Sequence, residues 1–530
     1  MNARNSILSS KGAAILLAVG FGIAVSHQLL TTAARAQADP QKTPAAQTQK
    51  PGGVERKITD PDIALAIENR FRAETAVPWH LIDVAVANGI VTLSGTVDHV
   101  LAKDRATLIA ETVRGVRAVV DTVTVKPAAR SDAEIRADIV AALAADPATD
   151  SREITPAVND GAVTLTGKVQ SFRERLLTEH VAKGVKGVKS VEAKLDVEFD
   201  KKSNRADGEV AAEIERGLET DAWIDASHIR VAVQNRRAIL TGKVGSAVAK
   251  RRAEAKAWVS GIGSIDAAGL TVDPALRDEM RKPPGRITRD DAEIKRALEE
   301  AFLHDPRVFS FNPRVAVSNG YVTLSGTVDN LAANRAAEQD ARNTAGVHGV
   351  RNQLKVRPAK SAVDTQLVQA VSEALLRDPL VDKHQIRVSA QNGVVTLRGA
   401  VDSGFEKATA EGVAARIRGV VSVSNRLSIS EPGLTSFRLP WAWNDFDFSG
   451  DRSARIFPLK PDAEIAEDIR EQLWWSPFVA AEAVKVVVEN GVATLTGTVE
   501  SWAQFHAASE NAFEGGAHSV RNQLKVGKGG

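Results

Sequence analysis

Asn88-Gly89-Ile90-Val91-Thr92-Leu93-Ser94-Gly95 is the stretch on which the fold turns. Asn-Gly between two runs of alternating apolar residues is the strongest short-range hairpin signal, because both turn positions need positive φ. Val84 and Val86 lead into this turn, and Val91 and Leu93 lead out of it. Altered copies of the stretch end at Gly167, Gly242, Gly326, Gly399 and Gly497. Asn-Gly returns at 319–320, 392–393 and 490–491, and the second copy has Asp160-Gly161. The third has Asn235-Arg236, which predicts a strained turn or one of another type.

Working outward, an Asp precedes each hairpin: Asp60, Asp132, Asp207, Asp291, Asp364 and Asp462. Each is expected to cap a helix by accepting free N–H groups of the first turn. Apolar residues then recur at i, i+4 and i+8, as in Ile63/Ile67/Phe71 and Leu367/Val371/Leu375, which is one buried helical stripe. A second amphipathic pattern opens five residues after the motif glycine at Val100, Phe172, Leu331 and Trp502, and is expected to end near Gly115, Gly187, Gly261 and Gly419. A valine-rich strand closes each copy. The order is α-β-β-α-β, and a three-stranded sheet with two helices on one face buries all the stripes. The fold class is therefore α+β, built as tandem repeats of one small module.

The chain has 530 residues with 68 Lys+Arg against 66 Asp+Glu, so any electrostatic partner must be recognised locally. Cysteine is absent, which removes disulfides, thiolate nucleophiles and cysteine-type zinc sites. The histidines are scattered, and no phosphate-binding loop, dinucleotide fingerprint or nucleophile elbow is present. No catalytic residue, metal ligand or cofactor site is assigned, and the expectation is a protein that is not an enzyme.

Residues 1–36 combine Arg4 and Lys11, an apolar run from Gly12 to Val25, and small residues at Ala34 and Ala36. They read as a secretory signal or, alternatively, as an N-terminal anchor. Residues 37–57 form a Pro- and Gln-rich lead-in. The expected modules are 58–127, 131–199, 206–274, 291–357, 363–430 and 462–526, numbered 1 to 6 below. A Pro/Gly linker, 275–290, and an aromatic-rich linker, 431–461, separate modules 3 from 4 and 5 from 6. Module 3 carries one extra residue in its closing segment, and Pro156 marks an edge strand in module 2.

This order, with the G-x-V-x-L-x-G hairpin and the late Gly-Val, resembles the BON domain, a family named for bacterial osmotically induced periplasmic and nodulation proteins. The resemblance implies a periplasmic or envelope-associated protein linked to osmotic stress and to phospholipid surfaces.

Two local signals stand out. Between Arg230 and Lys256, eight cations face only Glu254. Arg236, Arg237, Lys243, Lys250, Arg251, Arg252 and Lys256 are the candidates for an anionic surface, the rival reading being a solvated helix face neutralised within the module. Outside the cytoplasm nucleic acid is not expected, so anionic phospholipid comes first, with envelope proteins as further partners. The second signal is aromatic. Trp441, Trp443 and Trp475 either extend a small core, as the linker folds back, or insert at a membrane interface.

Overall fold

The Asn-Gly turns carry the φ pair that the sequence demands. Asn88 and Gly89 have φ of 52° and 73°, and the same left-handed pair recurs at every hairpin. Module 3 does not change turn type. Asn235 and Arg236 take φ of 51° and 65°, so an arginine occupies a position that favours glycine, at some backbone strain.

The structure is a computed structural model. It describes residues 58–527 apart from 75, 150–152, 198–204, 277–288, 309–310, 312, 359–362, 382–384, 402–403, 430–460 and 518. In module 1 a helix, Asp60–Ala73, precedes the hairpin strands Ile82–Ala87 and Ile90–Val97. A second helix, Val100–Glu111, leads to a closing strand in two pieces, Ala118–Asp121 and Thr124–Val125. The second hairpin strand is central, antiparallel to the first and parallel to the closing strand. The other five modules repeat this order. Pro156 does lie on an edge strand, Ile154–Asn159. In module 3 the closing strand pairs Asp266 with Ile239 but Leu270 with Gly242, so the extra residue is absorbed between its two pieces.

Each helical stripe packs onto its own sheet. Ile63, Ile67 and Phe71 meet Val91, Leu93 and Val97, all almost fully buried. Each such side chain contributes about 1.5–3 kcal/mol relative to exposure. The motif glycines sit inside the central strand rather than in a turn. A Cβ on Gly95, φ +122°, would lie 2.0 Å from the Leu81 carbonyl oxygen, and one on Gly242 2.0 Å from that of His228.

Two expectations are corrected. The opening Asp is the first helical residue, not the cap; Thr59, Ser131 and Asp290 occupy the cap positions before it. Its carboxylate crosses to the hairpin instead. Asp60 accepts the backbone N–H of Asn88 at 2.7 Å and of Gly89 at 2.9 Å, and Asp364 accepts those of Asn392 and Gly393 at 2.8 and 3.0 Å. The helix dipole and the turn thus share one anion. The second helix also ends earlier than Gly115, at Glu111, and the glycine serves a left-handed turn beyond it.

The second helices are buried on more than their sheet-facing side, because modules pack against one another through them. Ala332, Ala333, Ala336, Ala337 and Ala341 of the helix Leu331–Arg342 are all buried. The opposite side of that helix is polar, with Asn334, Arg335, Glu338, Gln339, Asp340 and Arg342, yet none of its residues is exposed, because neighbouring modules cover that side as well. The sheet faces away from the helices stay exposed, as the alternating burial of the central strands records.

Candidate anionic surface and the charged junctions between modules

The first helix of every module ends at a buried polar residue: Glu74, Asp146, Asp221, Asp305, Asp378 and Ser476. Each accepts the backbone N–H two residues on, as Asp221 does from Trp223 at 2.9 Å and Asp378 from Leu380 at 2.9 Å. That local turn stops the helix. It also leaves carboxylates inside the molecule, where charge must be matched.

The cations that match them include part of the basic window. Arg252, on the helix Ala247–Lys256, grips Asp221 through two hydrogen bonds of 2.6 Å, and Lys256 lies 3.2 Å from the same carboxylate. Burial alone would raise the Asp221 pKa, but Arg252 and Lys256 outweigh it and hold the carboxyl below its ordinary value. Burial pushes the Lys256 ammonium down, against the pull of Asp221. Arg251 reaches into module 1 and binds Glu111 at 2.5 and 2.6 Å. Arg252 and Lys256 are therefore structural and are withdrawn from the exposed anionic surface, whereas Arg251 keeps 49% of its side chain accessible beside its pair with Glu111. Neutralisation within the module holds for Arg252 and Lys256 through Asp221, and Arg251 is met by an acid of module 1, a partner that neither reading foresaw.

The other four candidates stay on the outside. Arg236 sits at the hairpin turn and donates to the Gly261 carbonyl at 3.2 Å. Arg237 pairs with Asp266 at 2.5 Å and Lys243 with Asp273 at 3.0 Å across the outer sheet face. Lys250 is half-buried on the second helix.

Trp475 is not exposed. It is 5% accessible and lies in a core shared with modules 1 and 3, with Trp474 edge-on at 4.8 Å. Arg114 of module 1 stacks over Trp474 at 4.6 Å. A neighbouring module covers this tryptophan pair, so Trp475 is withdrawn as a membrane-interface residue. Trp441 and Trp443 lie outside the described residues.

The junctions follow a pattern that residue spacing does not display. Modules 2 and 5 exchange backbone hydrogen bonds, Lys186 N–H to the Arg377 carbonyl at 2.9 Å and Arg418 N–H to the Ala145 carbonyl at 3.3 Å. Modules 3 and 4 do likewise, Ala345 N–H to the Thr220 carbonyl at 2.8 Å and Ala222 N–H to the Asn343 carbonyl at 3.0 Å. Modules 1 and 6 meet at Arg114 and Trp474. Sideways links join 1 to 2 through Asp104–Lys183 at 2.9 Å, 2 to 3 through Phe172 stacked on Trp258, and 4 to 5 through Arg335–Glu411.

Where modules 2, 3 and 4 meet, Asp340 faces Asp305 and Arg307 of its own module, Arg173 of module 2 and Lys256 of module 3. Burial, then the Asp305 charge, raises the Asp340 carboxyl to about 7. Asp305 is held low despite burial by Arg307, 2.6 Å away.

Among the described residues no His, Asp and Glu cluster could hold a metal ion, and no helix is long and apolar enough to cross a membrane. Sequence reasoning missed the helix-ending carboxylates, although Asp-Pro at 146, 305 and 378 is a legible turn signal.

Six stretches, 59–127, 131–198, 206–274, 290–358, 363–431 and 461–528, each match the BON domain. The chain belongs to the BON domain family. Osmotically-inducible protein Y of Escherichia coli is 33% identical over 144 residues, covering 26% of this chain and 72% of that protein. Outer membrane lipoprotein DolP of Haemophilus influenzae is 32% identical over 139 residues, 25% of this chain and 72% of that one. A 21 kDa hemolysin of Actinobacillus pleuropneumoniae is 29% identical over 160 residues, 29% and 74% of the two chains. Alignments of this length span about two BON modules, so this chain carries three times the matched unit.

Proposed function

We propose that this is an exported, non-enzymatic protein of the cell envelope, acting in the periplasm, whose BON modules bind anionic phospholipid and protect envelope integrity under osmotic stress. The names of the relatives support the setting, one being osmotically inducible and another an outer membrane lipoprotein. The observation that carries the binding reading is the division of each module into two sides. The helices are buried against other modules, and the open sheet faces are left for a partner. Weak contacts from several such faces reinforce one another when they engage together.

Co-sedimentation of residues 57–530, which form one compact unit, with neutral and anionic vesicles at low and high salt tests this. Binding to anionic vesicles alone, lost in salt, is the expected result. Indifference to both, with oligomers that grow with concentration, would favour a scaffold that self-associates or holds envelope proteins or cell-wall polymer. The strand order leaves two open edges per sheet for such pairing.

A further inference from the structure

The residue before the motif glycine is Ser94, Thr166, Thr241, Ser325 and Thr496 in five modules, and Arg398 in module 5. Arg398 lies on the central strand Val394–Val401. Its cross-strand partner on the hairpin side is Arg387, and on the closing strand, Ser422–Ile429, it is Arg426. Three arginines therefore stand in one row across the whole sheet, with strands about 4.8 Å apart. All three are exposed, and none has an ion-pair partner among the described residues. Arg426 only donates to the Ser424 hydroxyl at 3.4 Å. The next row on the same face is Ser389, Thr396 and Ser424, three hydroxyls in register. The three strands contain no Asp or Glu.

Like charges directly opposite one another destabilise a sheet. A threonine at 398, as elsewhere in the repeat, would avoid that penalty. A row that breaks the local rule, with donors flanking it and no acid to neutralise it, is built for an external anion. The row spans all three strands of an open sheet face, so it suits several phosphates side by side better than one small ion. The neighbouring module 4 repeats the bias. Its strands carry exposed Arg314, Arg351 and Lys355 without an acidic residue, and Tyr321, 62% accessible, is of a type favoured at membrane interfaces.

We infer that the outer sheet face of module 5, through Arg387, Arg398 and Arg426, is the surface that contacts the phosphate layer of an anionic bilayer. This inference rests on the phospholipid reading above and names its site.

The test is flotation of residues 57–530 with phosphatidylcholine vesicles, with and without phosphatidylglycerol. The triple variant Arg387→Thr, Arg398→Thr, Arg426→Thr is compared with Lys485→Thr, Arg521→Thr, Lys525→Thr, which removes three exposed cations from the sheet of module 6. Threonine is a good strand former, so both variants should fold, and circular dichroism melts check this. The inference expects the module 5 variant to bind phosphatidylglycerol vesicles roughly a hundredfold more weakly, and the module 6 variant to lose less than about tenfold. Equal weakening of the two would overturn the assigned site and leave the phospholipid reading standing. No vesicle binding by the unaltered protein would overturn both. Retention on a polyphosphate resin that depends on the row, without vesicle binding, would overturn the bilayer as occupant.

Discussion

Modules 3 and 5 carry their positive charge in opposite ways. Module 3 packs eight cations into the 27 residues from Arg230 to Lys256, and the fold takes many of them for its own use. Arg252 and Lys256 hold Asp221, Arg251 holds Glu111, and Arg237 and Lys243 face acids across the sheet. Module 5 spreads three arginines over 40 residues, and the register gathers them into one row. Charge density along a chain measures what a segment holds, whereas cross-strand register decides what a surface presents.

The comparison can be broken most severely at its buried end. Arg252→Ala strands the Asp221 carboxylate, which is fully covered, with Lys256 alone; the expected loss is roughly 3–5 kcal/mol. Differential scanning calorimetry of residues 57–530 should show an early transition, and an unchanged profile would remove the claim that module 3 directs its cations inward.

Asp340 supplies a pH test of the same junction. Its carboxyl is raised by burial and by Asp305, so the folded state binds a proton that the unfolded chain releases near pH 4. Stability from this group is present below about pH 4 and is lost as pH rises to about 7, with a slope approaching 1.4 kcal/mol per pH unit. Asp340→Asn should flatten that slope in urea titrations across the range. Equal slopes in both proteins would separate Asp340 from the junction's energetics.

At module 5 the comparison is sharpened through the turn that fixes its register. Asp364→Ala removes the acceptor of two backbone N–H groups, at an expected loss of about 1–3 kcal/mol. Faster amide exchange at Asn392 and Gly393 would report it. The smallest effects are expected on the outer sheet of module 3. Arg237→Ala and Lys243→Ala break exposed pairs, each within about 1 kcal/mol by thermal melts, and a larger change would mean that this face is not merely solvated.

The fold was legible because its signals are local and repeated. Asn-Gly turns, the i, i+4, i+8 stripes and the motif glycine each depend on backbone geometry that residue type controls directly. The role of Asp60 and its equivalents was misplaced because the cap and the first helical residue differ by one position, and only the folded hairpin shows what the carboxylate meets. The candidate site was legible in composition but not in partners. Glu111 lies 140 residues from Arg251, and no spacing rule connects them. For Trp475 a core was one of the two readings, but a neighbouring module contributes to its cover, which no local signal announces. Arg398 could have been found by asking which copy departs from Ser or Thr before the glycine.

The junctions join module 1 to 6, 2 to 5 and 3 to 4, nested like brackets. As the chain emerges during synthesis or export, the first module is therefore the last to meet its mate, more than 300 residues later. Its mating face stays bare throughout that wait, and the innermost pair, 3 with 4, is the first that can close. Long-range closure of this kind is slow and exposed to mispairing with other chains. Module 6 also packs on module 3 through Trp223 and Phe478, so a truncation that removes it uncovers modules 1 and 3 together, and damage at one end of the chain is felt at the other.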